Sequence, residues 1–200
     1  MMTDITQPDI TQLMQAICAE KSWADLNRAF SSLYGEPYNQ MANMPGSFLT
    51  GYSIFNGPDH RHIVTYGLAQ RHRFHGRAYE LTLKLPMKSP FMWTFDVLSA
   101  AAHHAWSFCG DVLPQFFDYG TSLKENTNSK LTALLFLPDQ CLSEAQIPAG
   151  RLHFLQAVGI TSAEYQALAG SKVDLPELTA RLRVDNPLLL TRLKRKESYA

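Results

Sequence analysis

Residues 131–161 read LTALLFLPDQCLSEAQIPAGRLHFLQAVGIT. Two apolar runs, Leu131–Leu137 and Arg151–Val158, are joined by a polar segment that carries a proline and a glycine. Short continuous apolar runs bounded by turn residues are the pattern of strands buried in a sheet. Neither run contains an activated nucleophile, a glycine-rich phosphate loop or a spaced set of metal ligands, so the strongest signal in the chain is a scaffold.

Downstream of this block, Thr161–Ala169 reads as a short helix. Thr161 is its cap, Glu164 stands three residues on, and Gly170 follows its end. Asp174–Arg183 reads as another helix, opened by Asp174 with Pro176 in its first turn. A brief apolar run, Leu188–Leu190, precedes a basic tail, Arg192–Lys196, for which a solvated charge run is the expectation.

Upstream, Thr121–Lys130 is a polar loop, and Leu113–Tyr119 is an aromatic segment whose Pro114 confines it to an edge or irregular strand. Between Thr94 and Phe108, Val97, Ala101, Ala105 and Phe108 recur on one helical stripe. Before that helix, Tyr52–Phe55, His60–Leu68 and Ala78–Leu85 are rich in Ile, Val, Thr, Tyr and Leu and predict an antiparallel meander. Gln70–Arg77 between the last two is a basic hairpin tip. Glu36–Gly51, with Pro37, Asn39, Asn43, Pro45 and Gly46, predicts a loop. Asp9–Gly35 predicts two short helices broken near Ser22. The sum is an α+β fold with a central mixed, largely antiparallel β-sheet flanked by helices, sandwich-like in its α/β/α layering.

With 200 residues, 46% of them hydrophobic, one packed domain is expected: a helical segment over 9–35, a body over 50–170, and a C-terminal helix and tail over 174–200. Eighteen basic residues balance eighteen acidic ones, so no global field selects nucleic acid or anionic lipid. The three cysteines, Cys18, Cys109 and Cys141, have neither the number nor the spacing of a disulfide framework or a zinc ribbon. The polar start MMTDITQPDI is no secretory signal, and no run approaches the ~20 apolar residues of a membrane span, so a soluble cytoplasmic protein is expected.

His60 and His62 share one strand face, and His72 and His75 lie in the tip. An extended His60–Leu68 separates the two pairs by about 26 Å, so they cannot share an ion. His103 and His104 diverge by about 100° around a helix. No metal or other cofactor is therefore expected. A cysteine–histidine nucleophile built from Cys109, Asp111 and His153 is weaker than a buried thiol as a reading of Cys109. GxSxG, Walker and GxGxxG sequences are absent, and the carboxylates Glu80, Asp96, Asp111, Asp118 and Asp139 are scattered along the chain. No catalytic residue is assigned. The basic tail lacks the interleaved aromatics that a nucleic-acid surface would use.

In order along the chain, WADLNRAFSSLYG (23–35), HRHIVTYGL (60–68), AYELTLKL (78–85), GDVLP (110–114), ALLFLPD (133–139), PAG (148–150) and FLQAVGIT (154–161) resemble the suppressor of fused domain. The resemblance implies a sheet flanked by helices and no catalysis. Animal members bind zinc-finger transcription factors of hedgehog signalling by taking up an extended segment, and bacterial members resemble immunity proteins of polymorphic toxin systems. Two departures stand out: no second C-terminal domain is expected, and the hairpin tip is basic at Arg71, Arg73 and Arg77; Arg61 moreover takes the place of a tryptophan between the two strand histidines.

The expected function is a non-enzymatic module that sequesters or neutralises a protein partner, a toxin domain or an extended peptide segment, with neither nucleic acid nor membrane as partner. The partner-binding candidates are Arg71, His72, Arg73 and His75 in the tip, and Asp111, Asp118 and Tyr119 in the aromatic, acidic segment. The alternative is a small hydrolase using His60 and His62 with a carboxylate or a metal.

Overall fold

The structure, a computed structural model, describes residues 24, 26–28, 30–43, 47–71, 73–74, 77–108, 115–141, 144–147 and 150–200. After a helical turn over 30–34, the strands are β1 (Asn39–Ala42), β2 (Gly51–Asn56), β3 (His60–Tyr66), β4 (Arg73–Phe74), β5 (Arg77–Pro86), β6 (Phe116–Asp118), β7 (Leu131–Pro138), β8 (Glu144–Ile147) and β9 (Gly150–Thr161). The helices are α1 (Leu68–Arg71), α2 (Trp93–Phe108), α3 (Ser162–Ala169) and α4 (Leu175–Asp185).

All nine strands form one sheet ordered β1-β2-β3-β5-β9-β7-β6, with β4 paired to β5 and β8 to β9. The β2-β3-β5 meander is antiparallel as expected, and the one parallel pair is β5 with β9. That pair makes the sheet mixed. After β5 the chain crosses over through α2, β6 and β7 before β9 returns beside it, which places the two longest strands at the centre. Both expected strands of the 131–161 block lie inside the sheet, β9 at its centre and β7 antiparallel to it, next to the last strand β6.

The expected loop at 36–51 is corrected by β1, which pairs antiparallel with β2 from Asn39↔Ile54 to Ala42↔Gly51. Asn39 and Asn43 had suggested turns; ladder bonds to an apolar neighbour override that local preference. The polar link between the two core runs is likewise not a plain loop. β8 pairs with the start of β9, on the same side of β9 as β7, so the chain from β7 to β8 follows one line interrupted near Asp139.

Strand alternation divides the core into layers. On one face Ile54, Ile63, Leu81, Leu83, Leu85, Leu134, Phe136, Leu155 and Ala157 pack with Phe95, Val97, Leu98 and Ala101 of α2. On the other face two clusters form. Phe55, Val64, Tyr66, Ala78, Leu152 and Phe154 pack with Leu26 and Phe30, while Ala133, Leu135, Val158 and Ile160 pack with α3 and α4. A fully buried side chain of this size contributes roughly 1.5–3 kcal/mol.

Helix α3 has the full capping box. The Thr161 side chain accepts from Glu164 N, and the Glu164 side chain accepts from Thr161 N. In α4 the Asp174 carboxylate accepts from Glu177 N. In the basic tail Arg192, Lys194 and Lys196 are exposed, as a solvated run requires, while Arg195 and the segment just before the tail are tied to the fold. Gln156 Nε2 donates to the carbonyls of Leu188 and Leu189, Thr191 N donates to Lys84 O at 2.8 Å, and Arg195 reaches the buried Glu164. A Cβ on Gly159 would lie 2.6 Å from Thr191 Cγ2, so glycine is what lets this segment lie against β9.

Candidate functional site

Along the second face of β9, Leu152 and Phe154 belong to one apolar cluster and Val158 and Ile160 to the other, with Gln156 between them. The seam continues across the sheet through Thr82 and Lys84 of β5 and His62 of β3, and all four of these polar residues are buried. Asp139, just beyond β7, turns into the seam. Its carboxylate accepts from Lys84 Nζ at 2.9 Å, from Thr82 Oγ1 at 2.6 Å and from Cys141 N at 2.8 Å, and lies 2.9 Å from His62 Nε2. Lys84 Nζ also donates to Gln156 Oε1 at 3.1 Å.

Burial pushes Asp139 upward, but the His62 hydrogen bond, the Lys84 charge and Thr82 outweigh it and hold the carboxyl well below the usual range. Burial lowers His62, the Asp139 hydrogen bond and charge oppose it, and with the Lys84 charge the balance stays below the usual imidazole value, so the ring is neutral at pH 7. An ionised carboxylate only accepts, which assigns the His62 proton to Nε2 and leaves Nδ1 to accept from Tyr34 Oη at 3.1 Å. Tyr34 in turn lies 3.4 Å from His60 Nε2, and His60 Nδ1 lies 3.1 Å from Asp59, whose side chain is 73% exposed. His60 and His62 do share a face, as the period of two requires.

This arrangement does not support the hydrolase alternative. A neutral histidine beside a carboxylate has the form of a base and its orienting acid. Here both side chains are 0% exposed and the carboxylate is already neutralised by Lys84. A general base has to come within hydrogen-bond reach of a substrate proton. Among the described residues, no group of three or more His, Cys, Asp and Glu side chains is placed to hold a metal ion.

A second buried carboxylate, Glu80, serves the local backbone. It accepts from Thr65 Oγ1 at 2.6 Å, Gly67 N at 2.9 Å and Ala69 N at 3.1 Å, which fixes the turn from β3 into α1. Burial nevertheless pushes it up to about 7 from 4.5. A carboxyl whose folded value is raised binds its proton more tightly folded than unfolded. Its contribution is therefore fully present below pH 4.5 and is lost as pH rises towards 7. Comparing urea unfolding of the parent and Glu80→Gln across this window should show the parent losing about 3 kcal/mol relative to the variant. Parallel curves would show that Glu80 ionises freely in the fold.

The partner-binding candidates separate. Arg71 ends α1 and Arg73 begins β4, while His72, His75 and Asp111 lie outside the described residues, as do Cys18 and Cys109. Asp118 lies on β6, exposed, with its carboxylate accepting from Gly120 N. Tyr119 is half-buried against the α2 side of the core, and its ring meets Phe117 at 6.3 Å. The tip pairs with Ala78, which aligns with Leu152, whereas Asp118 aligns with Ala133 and hence Ile160. Those levels are eight residues apart on β9, about 26 Å, and three strands apart laterally, so the tip and β6 are about 30 Å from each other. The His153 ring lies 5.3 Å from that of Tyr79.

β6 ends the strand order, as Pro114 had indicated for this segment. Tyr119 N bonds Thr132 O and Phe136 N bonds Gln115 O, so ladder alternation turns the backbone groups of Phe116 and Asp118 away from β7. Sequence reading missed the convergence of His62, Thr82, Lys84, Asp139 and Gln156. Its local signal was Lys84 inside AYELTLKL and Gln156 inside FLQAVGIT, polar residues inside runs that otherwise read as core.

A mixed sheet between helical layers, with polar side chains closed off inside it and ladder groups open at its edges, defines an α+β scaffold. The suppressor of fused protein family model matches residues 48–196, and the chain belongs to that family. Solved structures share the fold. The Sufu chain of a Sufu–Fu complex aligns with TM-score 0.73 and 22% identity over 90% of this chain and 91% of that one. Drosophila Suppressor of Fused aligns with TM-score 0.75 and 23% identity over 89% of this chain, which spans 51% of the Drosophila chain. A suppressor of fused homologue from Neisseria gonorrhoeae aligns with TM-score 0.63 and 16% identity over 92% and 98%. No curated protein matches by sequence. Among the described residues no helix is long and apolar enough to cross a membrane.

Proposed function

We propose that the chain is a non-catalytic protein-binding module that sequesters a partner by accepting an extended segment along β6. In its most concrete form it is a cytoplasmic immunity-type protein that neutralises a toxin domain. The observation that carries the reading is the open ladder of β6, where Phe116 and Asp118 turn backbone groups outward beside aromatic Phe117 and Tyr119. Strand addition draws affinity from main-chain bonds and specificity from the flanking side chains. Family membership and a related chain solved as a complex with Fu support a binding role. The basic tip around Arg71 and Arg73 is a second, separate contact for a large partner.

Affinity capture from native lysate, with the parent beside Asp118→Lys and Arg71→Glu/Arg73→Glu variants, tests this. A protein retained by the parent and lost with Asp118→Lys is the expected result, with weaker retention by the tip variant. No retained protein under several salt conditions would sink the reading.

A further inference from the structure

Arg61, on the α2 face at the β2–β3 turn, is held in an unusual way. Its guanidinium carbon lies 5.2 Å from the Tyr38 ring centroid and 5.1 Å from that of Phe91, and Nη1 donates to Ser89 O at 3.0 Å. Phe91 is braced by Phe95 at 6.1 Å. Rings on both sides restrict the approach of water to a guanidinium and fix its plane, so that its edge is the part left for recognition.

No carboxylate among the described residues forms an ion pair with Arg61, and Asp59, the nearest acid along the chain, is engaged with His60. Arg61 Nε is moreover buried without an acceptor. The surroundings are partly apolar and exposed: Tyr38 is 55% and Met92 57% accessible, and Lys88 adds a second positive charge.

Tyr38 leads directly into β1, the other end of the strand order. Asn43 N donates to Thr50 O, which by ladder alternation places Asn39 and Met41 in bonded pairs and turns the backbone groups of Gln40 and Ala42 outward. The strand, Asn-Gln-Met-Ala, carries none of the lysines, prolines or charges with which edge strands discourage pairing.

We propose that this edge is a docking surface for an acidic, extended peptide segment, with Arg61, clamped between Tyr38 and Phe91, as the anchor for one of its carboxylates. The segment adds to β1 through the outward groups of Gln40 and Ala42, its carboxylate accepts from Arg61 Nη2, since Nη1 is taken by Ser89 O and Nε is buried, and its apolar side chains meet Tyr38 and Met92. This rests on the protein-binding reading but uses the edge opposite β6, so the two fail separately.

Fluorescence anisotropy with a labelled hexapeptide of alternating valine and glutamate, and a matched valine–glutamine peptide, tests it. The expected result is at least tenfold tighter binding of the glutamate peptide, falling with salt. That preference is lost in Arg61→Gln and weakened in Tyr38→Ala, whose exposed position leaves folding intact, while Asp118→Lys leaves it unchanged. Equal binding of the two peptides, no binding at millimolar concentration, an unaltered preference in both variants, or a self-associated chain with β1 closed by a second copy would overturn it.

Discussion

An Asp139→Ala variant should unfold about 3–5 kcal/mol more easily than the parent, the range for removing one partner of a buried ion pair. Lys84 Nζ would be left fully buried with only Gln156 Oε1 to accept from it, and His62 Nε2 and Thr82 Oγ1 would lose their acceptor together. Asp139→Asn keeps one acceptor oxygen but sets a donor NH2 against either Lys84 Nζ and Cys141 N or His62 Nε2 and Thr82 Oγ1, and should recover only part of the loss. The double variant Asp139→Leu/Lys84→Met is the informative control. Apolar replacement of both ions in a seam already flanked by two hydrophobic clusters should be far milder than either single change. Urea unfolding of these proteins together with the single variants Asp139→Leu and Lys84→Met measures this; additive losses would mean that Lys84 and Asp139 do not act as a pair.

The pair also sets a pH dependence. Asp139 is held low and His62 is lowered, so both contribute stability above their unfolded values that is lost as pH falls through the folded ones. Glu80 acts in the opposite sense between 4.5 and about 7. Acid sensitivity below pH 4 should therefore shrink in the Asp139→Leu/Lys84→Met variant to the part due to Glu164, whose carboxyl is also held low, and persist in full in Glu80→Gln.

What was legible in the sequence followed from periodicity. The β2-β3-β5 meander, α2, the two central strands and both capped helices each carry a local signal, whether alternation, a helical stripe or a cap three residues before its glutamate. β1 was not legible, because a four-residue polar edge strand owes its conformation to β2 and has no pattern of its own. β8 was hidden for the same reason, since its register is imposed by the long β9. The polar seam was invisible in a stronger sense. Its members come from β3, β5, β9 and the end of β7, strands whose adjacency depends on the parallel insertion of β9 beside β5. Arg61 was noticed only as a replacement for tryptophan; the rings that clamp it lie 23 residues before it and 30 after it (61 − 38 and 91 − 61).

The C-terminal segment is where local reading and tertiary packing differ most, and it supports the second large effect. Glu164 is fully buried, and its two oxygens accept from Arg195 at 2.6 and 2.7 Å, from Thr161 N at 2.7 Å and from Tyr199 N at 3.0 Å. One side chain thus closes the α3 cap and ties down the chain 31 residues later. Burial alone would raise its proton affinity, but Arg195 and the two backbone donors prevail and lower it. Glu164→Ala should cost about 3–5 kcal/mol, because it strands a largely buried guanidinium and two backbone donors at once. Thr161→Ala, which removes a methyl group and the capping hydroxyl with its 3.3 Å contact to Ser198 Oγ, should cost about 1 kcal/mol. The two changes should also differ in kind. In Glu164→Ala, amide exchange should accelerate from Leu189 to Tyr199 as the segment lifts from Gly159 and Lys84, whereas Thr161→Ala should accelerate exchange only in the first turn of α3. Protection retained beyond Thr191 in Glu164→Ala would show that Gln156 and Thr191 hold the segment without the Glu164–Arg195 clasp.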